Sequence, residues 1–108
     1  MLSDRKPTFG QAVTTLRRRQ GLNQKALAAQ IRREDGGTIS AQYLNDIEHD
    51  RRSPSSDHLI EQMARALNAD PAFLTFIAGT LPAEIRHLPL DEERLRRAIA
   101  AFRKEAER

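Results

Sequence analysis

The residues of this chain best placed to do chemistry lie between Leu22 and Pro54. Leu22-Asn23-Gln24-Lys25-Ala26-Leu27-Ala28 comes first. Ser40-Ala41-Gln42-Tyr43-Leu44-Asn45-Asp46-Ile47-Glu48 follows across a breaker, and Arg51-Arg52-Ser53-Pro54 closes the stretch. Two short helices are separated by a break, the second is polar on one face, and two arginines and a proline lie just beyond it. That arrangement presents one helix to the major groove of DNA. The chemistry it points to is recognition rather than bond making.

Catalytic constellations are missing from the sequence. The three histidines, His49, His58 and His87, do not stand at i, i+4 with another ligand, so no zinc motif forms. There is no glycine-rich phosphate loop, no G-x-S-x-G and no cysteine nucleophile. Glu92-Glu93 and Glu105-Glu107 read as helix-surface charges. The expectation is no enzyme, no metal and no cofactor. His49 sits at the end of the polar helix, within reach of a phosphate, whereas His58 and His87 suit surface roles.

Composition agrees. At 108 residues the chain fits one domain with a terminal extension. Cysteine is absent, which removes disulfides and suits a reducing cytoplasm. Met1 to Lys6 lacks the apolar core of a signal peptide, and no apolar run spans a bilayer. Net charge is only +3, so its distribution matters more than its sum. Residues 1–56 carry ten Lys/Arg against six Asp/Glu, 57–90 carry two against four, and 91–108 carry six against five. The positive excess lies on the half that holds the polar helix.

The elements that must position these residues are all helical. Thr8-Phe9-Gly10-Gln11 is a capping-box pattern, and Phe9, Ala12, Val13 and Leu16 make an apolar stripe that ends at Gly21. Asn23 caps the second helix, which runs through Ala26, Leu27, Gln30 and Ile31. Gly36-Gly37 breaks the chain and Ser40 caps the third helix. The fourth runs from about Asp57 to Leu67 and buries Leu59, Ile60, Met63, Ala64 and Leu67. Asp70 and Pro71 start the fifth, with Phe73, Leu74, Phe76 and Ile77 as its core face. Residues 80–90 read as a connector. Asp91 caps a sixth helix, with Leu90 and Leu95 placed as a hydrophobic staple.

These pieces together resemble the phage repressor/Cro-type (XRE) helix-turn-helix family over roughly residues 8–78. Gly21-Leu22-Asn23-Gln24, Ser40 to Glu48, Met63-Ala64-Arg65-Ala66-Leu67, Asp70-Pro71 and Phe73-Leu74 carry the likeness in order. The resemblance implies an all-α fold: a five-helix repressor-like domain over residues 1–79, a connector at 80–90, and an amphipathic C-terminal helix over 91–108. Ala41, Gln42, Asn45 and Asp46 are then the base readers, with Tyr43 at the groove wall. The chemistry suits them. Gln and Asn pair bidentately with adenine, Asp accepts from cytosine N4, and Ala touches a thymine methyl. Gln24, Lys25, Ser40, Arg51, Arg52 and Ser53 face phosphates, which fix register without reading sequence. Arg17 and Glu48 align with an ion pair that braces the first helix against the third.

The chain departs from that family in two places. Eight residues, Arg32 to Ile39, stand where the family has a two-residue link. Ile39 takes the usual hydrophobic place. The rest either extends the second helix through Arg32-Arg33-Glu34, adds a phosphate contact through Arg32 and Arg33, or is a tolerated insertion. Asp50 replaces a usual glycine, at some cost in a left-handed turn.

Leu95, Ala98, Ile99 and Phe102 recur at i, i+3, i+4 and i+7 on the last helix. That stripe must be buried, either against its own domain or against a second copy. A reader of this size covers half a site, and a two-fold dimer spans two half-sites ~34 Å apart. The expectation is a cytoplasmic homodimeric regulator, a repressor on a palindromic operator in double-stranded DNA, without a membrane role. The resemblance also admits an antitoxin or restriction-controller protein with the same DNA chemistry, with a toxin or polymerase as a protein partner, or a protein-interaction module of the same fold that does not read DNA.

Overall fold

A computed structural model describes residues 6–108. The reading of residues 1–5 as part of the first domain, and as lacking a leader, lies outside the described residues. Among the described residues seven helices follow one another: α1 (Phe9–Arg19), α2 (Gln24–Ala28), α3 (Ala41–Glu48), α4 (Asp57–Leu67), α5 (Pro71–Ile77), α6 (Ala83–Arg86) and α7 (Glu92–Ala106). Among the described residues there is no β-strand. The all-α expectation holds.

The cap residues set the boundaries. Thr8 and Gln11 form the capping box at α1. Side chains of Asn23, Ser40, Ser56, Asp70 and Asp91 accept from backbone N–H groups at the starts of α2, α3, α4, α5 and α7. Gly21 at φ 72° and Asn68 at φ 55° end α1 and α4 in the left-handed region.

One core unites α1 to α5. Val13, Leu27, Ile31, Leu44, Ile47, Met63, Leu67 and Leu74 are fully buried. α3 packs on both α1 and α2, and α1 also touches α4 and α5. The apolar face of α3 is therefore clamped from two sides, and its polar face points outward.

Three expectations are corrected, and one open alternative is narrowed. α2 stops at Ala28 and does not extend into Arg32-Arg33-Glu34. Instead Ile31 and Ile39 are both buried, and Ile39 N–H donates to Ile31 O at 3.1 Å. That pair closes the neck of a finger. Arg32 bridges Thr38 in antiparallel fashion, and Arg33 N–H donates to Gly37 O at 2.7 Å. Secondly, Phe73 and Phe76 are 50% and 41% exposed, whereas Thr75 is buried beside Leu74 and Ile77. α5 turns a narrower face to the core than its apolar content suggests, and this leaves the two rings outside.

Thirdly, the connector contains the one-turn helix α6, held by Arg86. Its guanidinium donates to Asp57 Oδ2 at 2.6 Å and Leu81 O at 2.7 Å. Lastly, α7 does not bury its stripe within the chain. Leu95, Ile99 and Phe102 remain 48%, 40% and 53% exposed, and Phe102 meets the Phe76 ring at 6.2 Å.

Candidate nucleic-acid interface

The geometry begins at a buried carboxylate. Glu48 ends α3 with its side chain only 2% exposed. Arg17 grips it with two nitrogens, Nε to Oε2 at 2.6 Å and NH2 to Oε1 at 2.9 Å. Thr14 Oγ1 and Gln24 Nε2 each donate to Oε1 at 3.0 Å. Burial alone would push the Glu48 carboxyl up. The hydrogen bonds from Arg17, Gln24 and Thr14 outweigh it and hold the group below the usual carboxylate range. The same hydrogen bond raises the Arg17 guanidinium. The brace expected between α1 and α3 is therefore present, and it gathers α2 as well through Gln24, while Arg17 NH1 donates to Leu22 O at 2.9 Å in the turn before α2.

From Glu48 the polar contacts run outward without a gap. Asn45 Nδ2 donates to Gln24 Oε1 at 3.2 Å, so Gln24 uses both ends of its amide inside the protein. Arg51 donates to Asn45 Oδ1 at 2.7 Å and, through Nε, to Asp46 Oδ1 at 3.1 Å. Gln42 Nε2 donates to that same oxygen at 3.1 Å. Arg52 lies 3.9 Å from Asp46 Oδ2, with its guanidinium 5.5 Å from the centre of the Tyr43 ring. The hydrogen bond from Arg51 does most to draw the Asp46 carboxyl below its ordinary range.

The structure thus brings Gln24, Gln42, Asn45, Asp46, Arg51 and Arg52 into one network. Ala41 and Gln42 are exposed, and Tyr43, Asn45 and Asp46 are half-buried on the same helix. Ser40 caps that helix through Tyr43 N–H at 3.0 Å and is itself exposed. Lys25 and Ser53 are exposed on α2 and in the loop after α3. Leu95, Ala98, Ile99 and Phe102 lie apart from this surface, on α7.

Beside α3 stands the finger. Asp35 fixes its tip by accepting from Gly37 N–H at 2.9 Å and pairing with Arg33 at 2.9 Å. His58 on α4 contacts Arg32 O at 3.1 Å, so the finger is tied to the body of the domain. A cleft of about 840 Å³ separates it from α3, lined by Arg33, Ser40, Gln42, Tyr43, Arg52 and His58.

Three supports are not anticipated by the sequence reading. Asp50 adopts φ 59°, as a left-handed turn requires, and its carboxylate turns back to α1. It accepts from Gly10 N–H at 2.9 Å and from Thr8 Oγ1 at 2.6 Å, so an acidic side chain sits at the positive end of α1. Gly10 itself lies under the end of α3. A Cβ there would stand 2.5 Å from the carbonyl oxygens of both Ile47 and Glu48. A glycine in the first turn of an otherwise apolar-striped helix is the signal that could reveal this approach. The contact of His58, on α4, with the finger has no comparable signal.

The comparison with known families agrees with this geometry. The helix-turn-helix domain family matches residues 8–74, which spans α1 to the middle of α5. The chain belongs to that family, which is a class of DNA-binding regulators and typically not of enzymes. No curated protein and no solved structure matches the chain. Among the described residues no helix is long and apolar enough to cross a membrane.

Proposed function

We propose that the protein is a sequence-specific transcriptional repressor that binds a palindromic operator as a homodimer. One observation carries this reading: the outward face of α3 presents Gln42, Asn45 and Asp46 between the arginines of the following loop and the start of α2. Gln42 and Asn45 supply paired donor and acceptor groups for adenine, and Asp46 an acceptor for cytosine N4. Ala41 suits a thymine methyl. Gln24, Lys25, Ser40, Arg51, Arg52 and Ser53 surround them at positions suited to phosphates. Arg33, paired with Asp35, lines the finger side of the cleft next to Glu34. Repression is by occlusion of polymerase.

A second copy is the occupant that fits the α7 face. The large exposed apolar side chains of the described residues all fall between Phe73 and Phe102, on α5 and the segments after it. α7 carries Glu92 and Glu93 in its first turn, and Arg103 and Lys104 beside Glu105 in its last. Antiparallel pairing of two α7 helices sets acidic starts against basic ends while covering Leu95, Ile99 and Phe102. Two-fold pairing also supplies the second half-site.

Selection of duplexes from a random pool, followed by footprinting and a salt titration, tests the reading. The expected outcome is a palindromic consensus with half-sites about one helical turn apart, ~34 Å. Failure to enrich any sequence, with no salt-dependent binding, would leave a module of this fold that does not read DNA.

A further inference from the structure

Asp46 is an unusual group to place against DNA, and its surroundings show how the protein tolerates it. Gln42 Nε2 and Arg51 Nε both donate to Asp46 Oδ1 at 3.1 Å, and Arg51 NH2 approaches the same oxygen at 3.0 Å. Arg52 flanks the other oxygen. The main chain enforces the contact, because Arg51 and Arg52 N–H groups donate to Asp46 O at 2.8 and 3.3 Å. The loop after α3 is therefore folded back over its own reading face. The Asp46 side chain is left 22% exposed, whereas those of Arg51 and Arg52 are 55% and 63% exposed.

This sets two demands on the same donors. Arg51 commits Nε to Asp46 and NH2 to both Asp46 and Asn45. A phosphate would recruit the same guanidinium. When the arginines turn to the backbone, Asp46 is left as a carboxylate facing a polyanion, with its charge no longer compensated. Only a base presenting an exocyclic amine restores a donor to it, and cytosine N4 is the amine whose groove position suits an acidic side chain. A guanine or thymine edge offers acceptors at that place and leaves the charge unpaired.

We propose that Asp46 is a specificity gate: it holds Arg51 and Arg52 back from random DNA and releases them at a site that offers it a base amine. The gate rests on the DNA-binding reading above and adds to it a mechanism of discrimination by penalty rather than by attraction. It works against wrong sequences at least as much as for the right one. Arg51 is accordingly a phosphate contact whose strength depends on the base beneath Asp46.

The test compares wild type with Asp46→Asn on a duplex enriched by selection and on a random duplex of equal length. The variant is expected to bind random DNA about tenfold more tightly, a change of the size one base contact commands. The ratio of specific to random affinity should fall by at least as much. Selection repeated with the variant should lose its preference at one base pair per half-site. The Asp46→Asn gain on random DNA should shrink in an Arg51→Gln background, which separates release of the arginine from a mere loss of negative charge. Equal changes on both duplexes, or an unaltered consensus, would overturn the gate while leaving the DNA reading intact. Wild type that binds no DNA, or selects no sequence, overturns both. A thermal melt of each variant guards against misfolding, and the consensus can be read even where affinity is reduced.

Discussion

Asn45 donates its side-chain N–H to Gln24 Oε1 at 3.2 Å, across twenty-one residues of sequence. One residue belongs to the helix proposed to read bases and the other to the helix proposed to sit on phosphate. Their bond means that the reader is oriented by the positioner. Gln24 in turn leans on Glu48, and Glu48 on Arg17. A polar chain therefore runs from α1 to the outer face of α3. A reader whose side chain is already held loses less rotamer freedom on binding, which favours affinity and fidelity together.

Glu48 is the centre of that chain, and its removal should be costly. Glu48→Ala strands Arg17, Thr14 and the Gln24 amide in a site with little water. Breaking a buried pair on one side typically costs about 3–5 kcal/mol, and a loss in that range is expected from urea unfolding. Arg17→Ala should cost a similar amount, and the double variant less than the sum. Additive losses would mean that the two side chains do not act as a unit.

The same carboxyl sets the acid response. Its folded value lies below the ordinary range, so folding favours the ionised form. Its contribution is fully present above the unfolded value of about 4.3 and is lost as pH falls through the lower, folded value. The urea midpoint should therefore drop below about pH 4, and Glu48→Gln should flatten that drop. Asp35 and Asp46 are also held low, by the Gly37 N–H and by Arg51 respectively. Both are solvent-accessible ion pairs and should contribute little to the slope.

Much of this was legible in the sequence, and the parts that were not have a common cause. Caps and apolar periodicity are local, so Thr8, Asn23, Ser40, Asp70 and Asp91 marked their helices correctly. Arg17 and Glu48 were legible as a pair only through the family likeness. What escaped depends on distant partners. The exposure of Phe73 and Phe76 is set by which side of α5 meets the core, and both rings fit an apolar stripe equally well. The finger ends α2 early because Ile39 N–H returns to Ile31 O, a closure eight residues long that helical spacing does not register. The hold of α3 on both ends of the Gln24 amide likewise depends on Asn45 and Glu48, more than twenty residues away.

Asp50 and Gly10 make a paired prediction. Asp50→Ala loses the bonds to Gly10 N–H and Thr8 and still pays the left-handed strain of about 1–2 kcal/mol. Asp50→Gly loses the same bonds but relieves that strain, so it should be the milder change. Gly10→Ala should be worse than either, because backbone oxygens at 2.5 Å cannot move aside without separating α1 from α3. Thermal melts rank the three. A benign Gly10→Ala would show that the α1–α3 approach is loose.

Base reading and phosphate contact separate in binding data. Gln42→Ala should lose roughly 1–3 kcal/mol of discrimination at one base pair, with random-sequence binding little reduced. Arg52→Ala should weaken the selected duplex and lower its salt slope by about one, and weaken random duplexes less, because Asp46 restrains the arginine there. If Gln42→Ala affects both duplexes equally, its amide acts by orienting Asp46 and not by reading a base.

The α7 face yields the sharpest separation of folding from assembly. Leu95, Ile99 and Phe102 are each at least 40% exposed within the chain, and no residue of α7 is buried. Ile99→Glu should therefore leave the stability of an isolated chain almost unchanged. In the proposed dimer the same change places two like charges in an apolar seam, where a desolvated, unpaired carboxylate is strongly unfavourable. Sedimentation should show wild type as a dimer and Ile99→Glu as a monomer with an unaltered helical spectrum. Deleting residues 91–108 should also give a monomer, with the helical signal reduced by that of α7 alone. Operator affinity should fall in both, because the two half-sites then bind independently, while contacts within one half-site stay as they were. A dimer that survives both changes would move the interface to the Phe73 and Phe76 side of α5. A monomeric wild type with full operator affinity would remove the two-fold reading.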